Sequence, residues 1–191
     1  MAASAIAIAA AIATPAAGEL VHTTLYHNHP VKGTTPRALL AYMNAHPIID
    51  PDDGPAYANL THEHTLALTT ESAAGRCGVK ALTFRWRFVL TLPMAVDEAR
   101  MSGPTKRLWR DFVAGLKRHE EAHRSIFLDC GARFVSAAER LTAASCTALE
   151  QQVHRTIDSA YDRCMARQRA FEARDRPRVL GLGLVRAARG E

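Results

Sequence analysis

The chain has 191 residues, 48% of them apolar, and a formal net charge of +5. That length and apolar content suit one domain with a substantial core. The basic residues are dispersed, with no aromatic-rich basic strand, which argues against a nucleic-acid partner, and no apolar run is long enough for stable membrane insertion.

Ala5 to Ala13 is a short apolar run followed by Thr14, Pro15, Ala16, Ala17 and Gly18. It has the length of a signal-peptide core, and cleavage after Ala16 or Ala17 fits the small-residue preference, although no Lys or Arg precedes it. We read residues 1–17 as a signal segment and expect a periplasmic or secreted protein. The four cysteines, Cys77, Cys130, Cys146 and Cys164, agree, because an even number suits disulfides in an oxidising compartment. Four cysteines allow three pairings, and spacing does not choose among them; no CxxC pair suggests a cysteine metal site.

Residues 18–95 read mainly as strands. Leu20 to Tyr26 is a short extended segment, and His27 and His29 sit beside Pro30 in an expected loop. Thr34, Thr35 and Pro36 mark a helix start leading into Ala38 to Met43. After the turn-rich stretch Asp50 to Pro55, residues Tyr57 to Thr70 alternate, with Leu60, His62, His64, Leu66 and Leu68 on one face. Val79 to Leu92 alternates again through Leu82, Phe84, Trp86, Phe88 and Leu90. The two runs are expected to be antiparallel neighbours joined by a loop containing Gly75. Two histidines at i and i+2 on a strand can bind a metal, but His62 and His64 are read as a polar sheet edge, and His27 and His29 as loop residues.

Residues 96–174 read as helical. Ser102, Gly103, Pro104 and Thr105 lead into a long helix from about 106 to 141, weakly interrupted by Gly115 and Gly131, and a second helix runs from about 148 to 174. Beyond Pro177 the basic, Gly-punctuated segment is expected to fray, so residues 175–191 are read as a flexible tail. The first helix carries His119-Glu120-Glu121-Ala122-His123, an HExxH sequence. In a helix, i and i+4 share a face, so both imidazoles reach one metal ion with Glu120 beside it as candidate general base. The stripe Leu108, Phe112, Leu116, His119, His123, Ile126, Phe127, Cys130 and Phe134 is the apolar face, so the histidines point inward.

The order of features resembles a bacterial domain-of-unknown-function family described as predicted secreted zinc-dependent proteases. The matching pieces are Gly33-Thr34-Thr35, Gly54-Pro55-Ala56-Tyr57-Ala58, Cys77 before a strand ending Thr91-Leu92-Pro93, Trp109, the HExxH sequence, Cys146 and Tyr161-Asp162. They span roughly residues 20 to 170. The resemblance implies an α+β, zincin-like fold in a single domain, residues 18–174: antiparallel strands and a short helix, then the HExxH helix and a second antiparallel helix. It also implies a Cys77–Cys146 disulfide, zinc as cofactor, and a peptide or protein substrate. Where the family continues Tyr-Asp-x-x-Thr-x-His-Gly, this chain places Met165, Arg167 and Gln168 at the Thr, His and Gly positions, and an arginine cannot ligate a metal.

A third ligand must therefore come from elsewhere. Glu139 lies sixteen residues beyond His123, about 24 Å along a helix and out of reach. If the helices are antiparallel with Cys130 facing Cys164, Glu172 comes next to His123, whereas Asp162 lies about 13 Å up the helix. The family match favours Asp162, and a tilted pair of helices can shift the register; the expected ligands are His119, His123 and Asp162, with Glu172 the alternative. His154, Tyr161 and Arg167 are candidate oxyanion donors. The expected activity is zinc-dependent peptide hydrolysis, and the competing class is a zincin-like binding or scaffold protein without catalysis.

Overall fold

The two alternating runs become long neighbouring strands in the computed structural model, which describes residues 17–50 and 54–191. Asn59–Ala73 (β4) and Arg76–Ala95 (β5) are antiparallel, and the two-residue turn between them places Ala74 at φ 49° and Gly75 at φ 77°. Positive φ at both central residues is what a tight hairpin of this hand requires. Along β5 the inward residues Leu82, Phe84, Trp86, Phe88 and Leu90 are each at most 2% exposed. The other face of the pair carries Thr61, Glu63, Thr65, Arg85 and Arg87 to solvent, with Arg87 paired to Glu63 at 3.4 Å.

The first strand, Ala17–Val31 (β1), is longer than the segment read from Leu20 to Tyr26, and it takes in His27 and His29, which had been expected in a loop. It pairs with the other edge of β5 in parallel, Ala17 opposite Ala81 through Val31 opposite Ala95. Strand periodicity says which face is buried but nothing about the partner or its direction. The sheet order is thus β1-β5-β4, with the two-residue strand Thr142–Ala143 (β6) against the start of β5. Pro36–Ala45 (α1) begins at Thr35, whose hydroxyl accepts the Ala38 amide at 3.2 Å. Between α1 and β4 lies a small antiparallel pair, Ile48–Asp50 (β2) and Gly54–Ala56 (β3).

Gly103–Ala138 (α2) and Cys146–Leu180 (α3) are the two long helices, each started by a serine cap: Ser102 accepts the Thr105 amide at 3.3 Å and Ser145 the Ala148 amide at 3.2 Å. They run antiparallel, and the disulfide Cys130–Cys164 joins them. A second disulfide, Cys77–Cys146, ties the start of β5 to the start of α3. No described helix is long and apolar enough to cross a membrane. Gly131 lets α2 lie close against the sheet, since a Cβ there would meet Trp86 Nε1 at 2.8 Å.

The C-terminal segment corrects the expectation of a flexible tail. α3 continues through Pro177 to Leu180, and Gly183–Arg189 forms a further helix (α4). Leu184 and Val185 on α4 are fully buried in an apolar cluster with Leu39, Met43, Trp109, Phe112 and Leu116. Proline removes one helical hydrogen bond, and burying two large aliphatic side chains outweighs that loss. The expected signal segment, 1–17, lies outside the described residues except for residue 17.

The interior has two parts. The larger lies between the sheet and the helix pair and includes Phe127 and Phe134; the smaller gathers α1, α4 and the first half of α2 as far as Leu116. The HExxH turn falls between Leu116 and Phe127, at the seam where one apolar cluster ends and the other begins.

Candidate metal centre

Along the apolar stripe of α2 the two histidines occupy the seam positions, and α3 crosses there to meet them. His119 is 7% exposed, so its ring is removed from bulk water and has to find partners within the fold. Those partners come from one face of α3, where Gln168, Phe171, Glu172 and Asp175 recur at helical spacing.

Each imidazole is held at Nδ1. Asp175 Oδ2 lies 2.7 Å from His119 Nδ1, and Gln168 Oε1 lies 2.7 Å from His123 Nδ1. The Gln168 amide nitrogen donates to the His123 carbonyl at 3.0 Å, which leaves its oxygen to accept. Asp175 is fixed in turn by Arg178, with contacts of 2.8 and 2.6 Å; those hydrogen bonds, and the one to His119, hold its carboxyl far below the usual range. An ionised carboxylate and an amide oxygen only accept, so both Nδ1 atoms carry a proton, and in the neutral rings both Nε2 atoms present a lone pair. Phe171 packs against both rings, at 5.2 and 4.7 Å between centroids.

The two Nε2 atoms are 3.2 Å apart, and Glu172 Oε2 lies 3.0 Å from His119 Nε2 and 3.5 Å from His123 Nε2. Three electron-pair donors converge on one point with no hydrogen of their own to share. Zinc ligands ~2.0–2.2 Å from the ion at tetrahedral angles are themselves ~3.3–3.6 Å apart, close to the spacing of these three atoms. The donor set, two imidazoles and a carboxylate, is one zinc accepts, with an outer oxygen fixing each imidazole. The residues present fit the ion.

Glu120 is 6% exposed and sits on the wall of the same cleft. Burial, followed by the nearby carboxylates of Asp50 and Glu172, pushes its carboxyl up to about 8. A buried acid with a raised proton affinity beside an electron-pair cluster is the arrangement expected of a proton-transfer group. The cleft is about 600 Å³ in volume, within the usual range for small-molecule and peptide sites, and opens between α3, the start of β4 and the β2–β3 pair.

The structure brings together His119, Glu120 and His123. Asp162 is not with them, and this corrects its choice as third ligand. It is exposed on α3, ten residues before Glu172 and so about 15 Å away along the helix. The acid at the cluster is Glu172, the residue that the Cys130–Cys164 register brings next to His123. His154 is exposed on α3, and Arg167 pairs with Asp129 beside Cys130. Tyr161 bonds His62 at 3.2 Å, and His62 lines the cleft against Phe127. His64 packs on Phe84 and Trp86, and His29 contacts the His46 carbonyl. Gln168 and Asp175 were missed; their only signal was placement on the α3 face that carries Glu172.

The Asp175 arrangement makes a prediction. Asp175→Ala removes the acceptor that fixes the His119 tautomer, so zinc affinity should fall about 10–100-fold while the disulfide-tied fold persists. Competition against a chromophoric chelator, with circular dichroism alongside, would measure both. An unchanged affinity would show that the ring is held without Asp175.

No curated protein and no solved structure matches the chain. A family model does, over residues 26–178, and the chain therefore belongs to the family described as bacterial protein of unknown function (DUF922).

Proposed function

We propose that the chain is an exported zinc-dependent peptidase. The observation that carries this reading is the convergence of His119 Nε2, His123 Nε2 and Glu172 Oε2 on one point, with both Nδ1 protons already committed, beside the buried acid Glu120 in an open cleft. Bound zinc polarises a carbonyl and acidifies a water. The rest of the work falls to the chain. His119, His123 and Glu172 would hold the ion, and Asp175 and Gln168 keep both rings in the ligating tautomer. With the ion's positive charge beside it to favour the ionised carboxylate over the uncharged form that burial favours, Glu120 would take the proton of the attacking water and return it to the amine that leaves. His62, held by Tyr161, also lines the cleft and would be the donor toward a developing oxyanion. β4 is an edge strand that enters the cleft through Leu60 and His62, and its backbone offers pairing to an extended peptide. The two disulfides fit an oxidising compartment.

The alternative of a catalytically inactive scaffold drew its support from Arg167, which stands at the histidine position of the motif that the resemblance rests on. Glu172 offers the third donor that Arg167 cannot, and no other observation favours the scaffold. The test is elemental analysis of the purified protein together with hydrolysis of casein. About one zinc per chain is expected, with cleavage abolished by chelator and restored by zinc. Absence of zinc after exposure to micromolar metal would overturn the reading.

A further inference from the structure

The wall of the cleft formed by α3 carries charge that the peptidase reading does not use. Arg169 and Arg176 stand about one turn to either side of Glu172, and both line the cleft while remaining exposed. Two other arginines of this helix are neutralised: Arg167 by Asp129, and Arg178 by Asp175 at 2.6 Å. Arg169 and Arg176 have no carboxylate within ion-pair distance among the described residues. The acids of the cleft are placed elsewhere. Glu172 faces the histidines, Glu120 is buried, and Asp50 accepts the amide of buried Asn59 at 2.8 Å. A third cation, Arg189, is near enough to the cleft residue Tyr57 to oppose the rise that burial causes in its phenol.

We infer that the cleft selects acidic peptides, with Arg169 and Arg176 each receiving a carboxylate side chain on opposite sides of the bond presented to the metal centre. Seven helical residues separate the two arginines by about 10.5 Å on one face of α3, and side chains four positions apart share one face of an extended chain about 13.5 Å apart, within reach of two long arginine side chains. A peptide lying along α3 thus presents acidic side chains four positions apart, on one face, to the two guanidiniums, with its central carbonyl over Glu172. Arginine suits this task because its planar fork meets a carboxylate with two parallel hydrogen bonds. The net charge of +5 adds long-range attraction for such a substrate.

This inference rests on the peptidase reading of the same cleft, and binding separates the two. The probes are a fluorescein-labelled decapeptide with glutamates four positions apart around an Ala-Phe-Ala centre, and the same peptide with glutamine at those positions. Fluorescence anisotropy with the zinc-loaded Glu120→Gln protein should show the glutamate peptide bound about fivefold or more tightly at low salt. Added salt should erase the preference. An Arg169→Gln/Arg176→Gln double variant should lose the preference and keep its zinc content, since neither residue belongs to the donor cluster. Equal binding of the two peptides, no binding of either, or a preference that survives in the double variant would overturn the inference. Failure of the peptidase reading would show itself differently, as wild-type protein that holds no zinc or cleaves nothing, whatever the anisotropy reports.

Discussion

Glu172→Ala is expected to leave the purified protein without zinc, while Asp162→Ala retains it. Two imidazoles one helical turn apart make only half of a tetrahedral site, and Glu172 Oε2, at 3.0 and 3.5 Å from their Nε2 atoms, is the third described donor at the cluster. Losing it removes one bond to the ion and the one negative charge in direct contact, so affinity should fall by more than the ~100-fold that follows loss of an outer-shell partner. Asp162 is exposed on α3 away from the cluster, and its removal should leave zinc content unchanged. Elemental analysis of both variants after dialysis decides the point. Zinc retained by Glu172→Ala and lost by Asp162→Ala would mean that the helices slide from the register described above.

The second large effect is expected from Glu120→Gln. The carboxamide keeps the shape of the side chain but cannot take a proton from water, so peptide hydrolysis should fall by ~10²–10⁴-fold with zinc still bound. Misfolding can be separated from loss of chemistry by thermal denaturation. Burial already disfavours the charged form of Glu120, and its carboxyl stands at about 8, so a neutral replacement should leave the protein no less stable. Hydrolysis at the wild-type rate would assign the proton transfer to another group and leave Glu120 a buried acid of the core.

Much of this could be read before any fold was known, and the divisions have physical causes. Alternation over residues 57–70 and 79–92 marked two strands with one buried face each, and the short Gly75 loop between them specified an antiparallel pair, because it leaves no length for a crossover. The inward stripe of α2 placed His119 and His123 on a buried face in the same way, at a period of 3.6. The Cys77–Cys146 bond was implied by the family resemblance, and Cys130–Cys164 was the pairing compatible with it; both are present. The antiparallel register built on the second bond pointed to Glu172, and the preference for Asp162 came from the motif instead.

What was not legible depends on contacts far apart in the chain. Nothing in Ala17–Val31 names β5 as its partner or makes the pairing parallel. The roles of Gln168 and Asp175 exist only when α3 lies on α2, since each acts on a histidine of the other helix. The tail was misread because Pro177 and the glycines after it were given more weight than Leu184 and Val185, whose burial against α1 and α2 decides the local structure.

The parallel pairing of β1 with β5 has a bearing on the order of assembly. The first strand of the fold has no partner until β5 has been made, and in the finished sheet it lies opposite residues Ala81 to Ala95. A strand that must wait for a distant partner carries the entropy of a long closed loop and slows the search for the native state. The sheet therefore cannot close before residues 76–95 have been made and are free. The order of synthesis leaves closure to the central strand, the last of the three to be made.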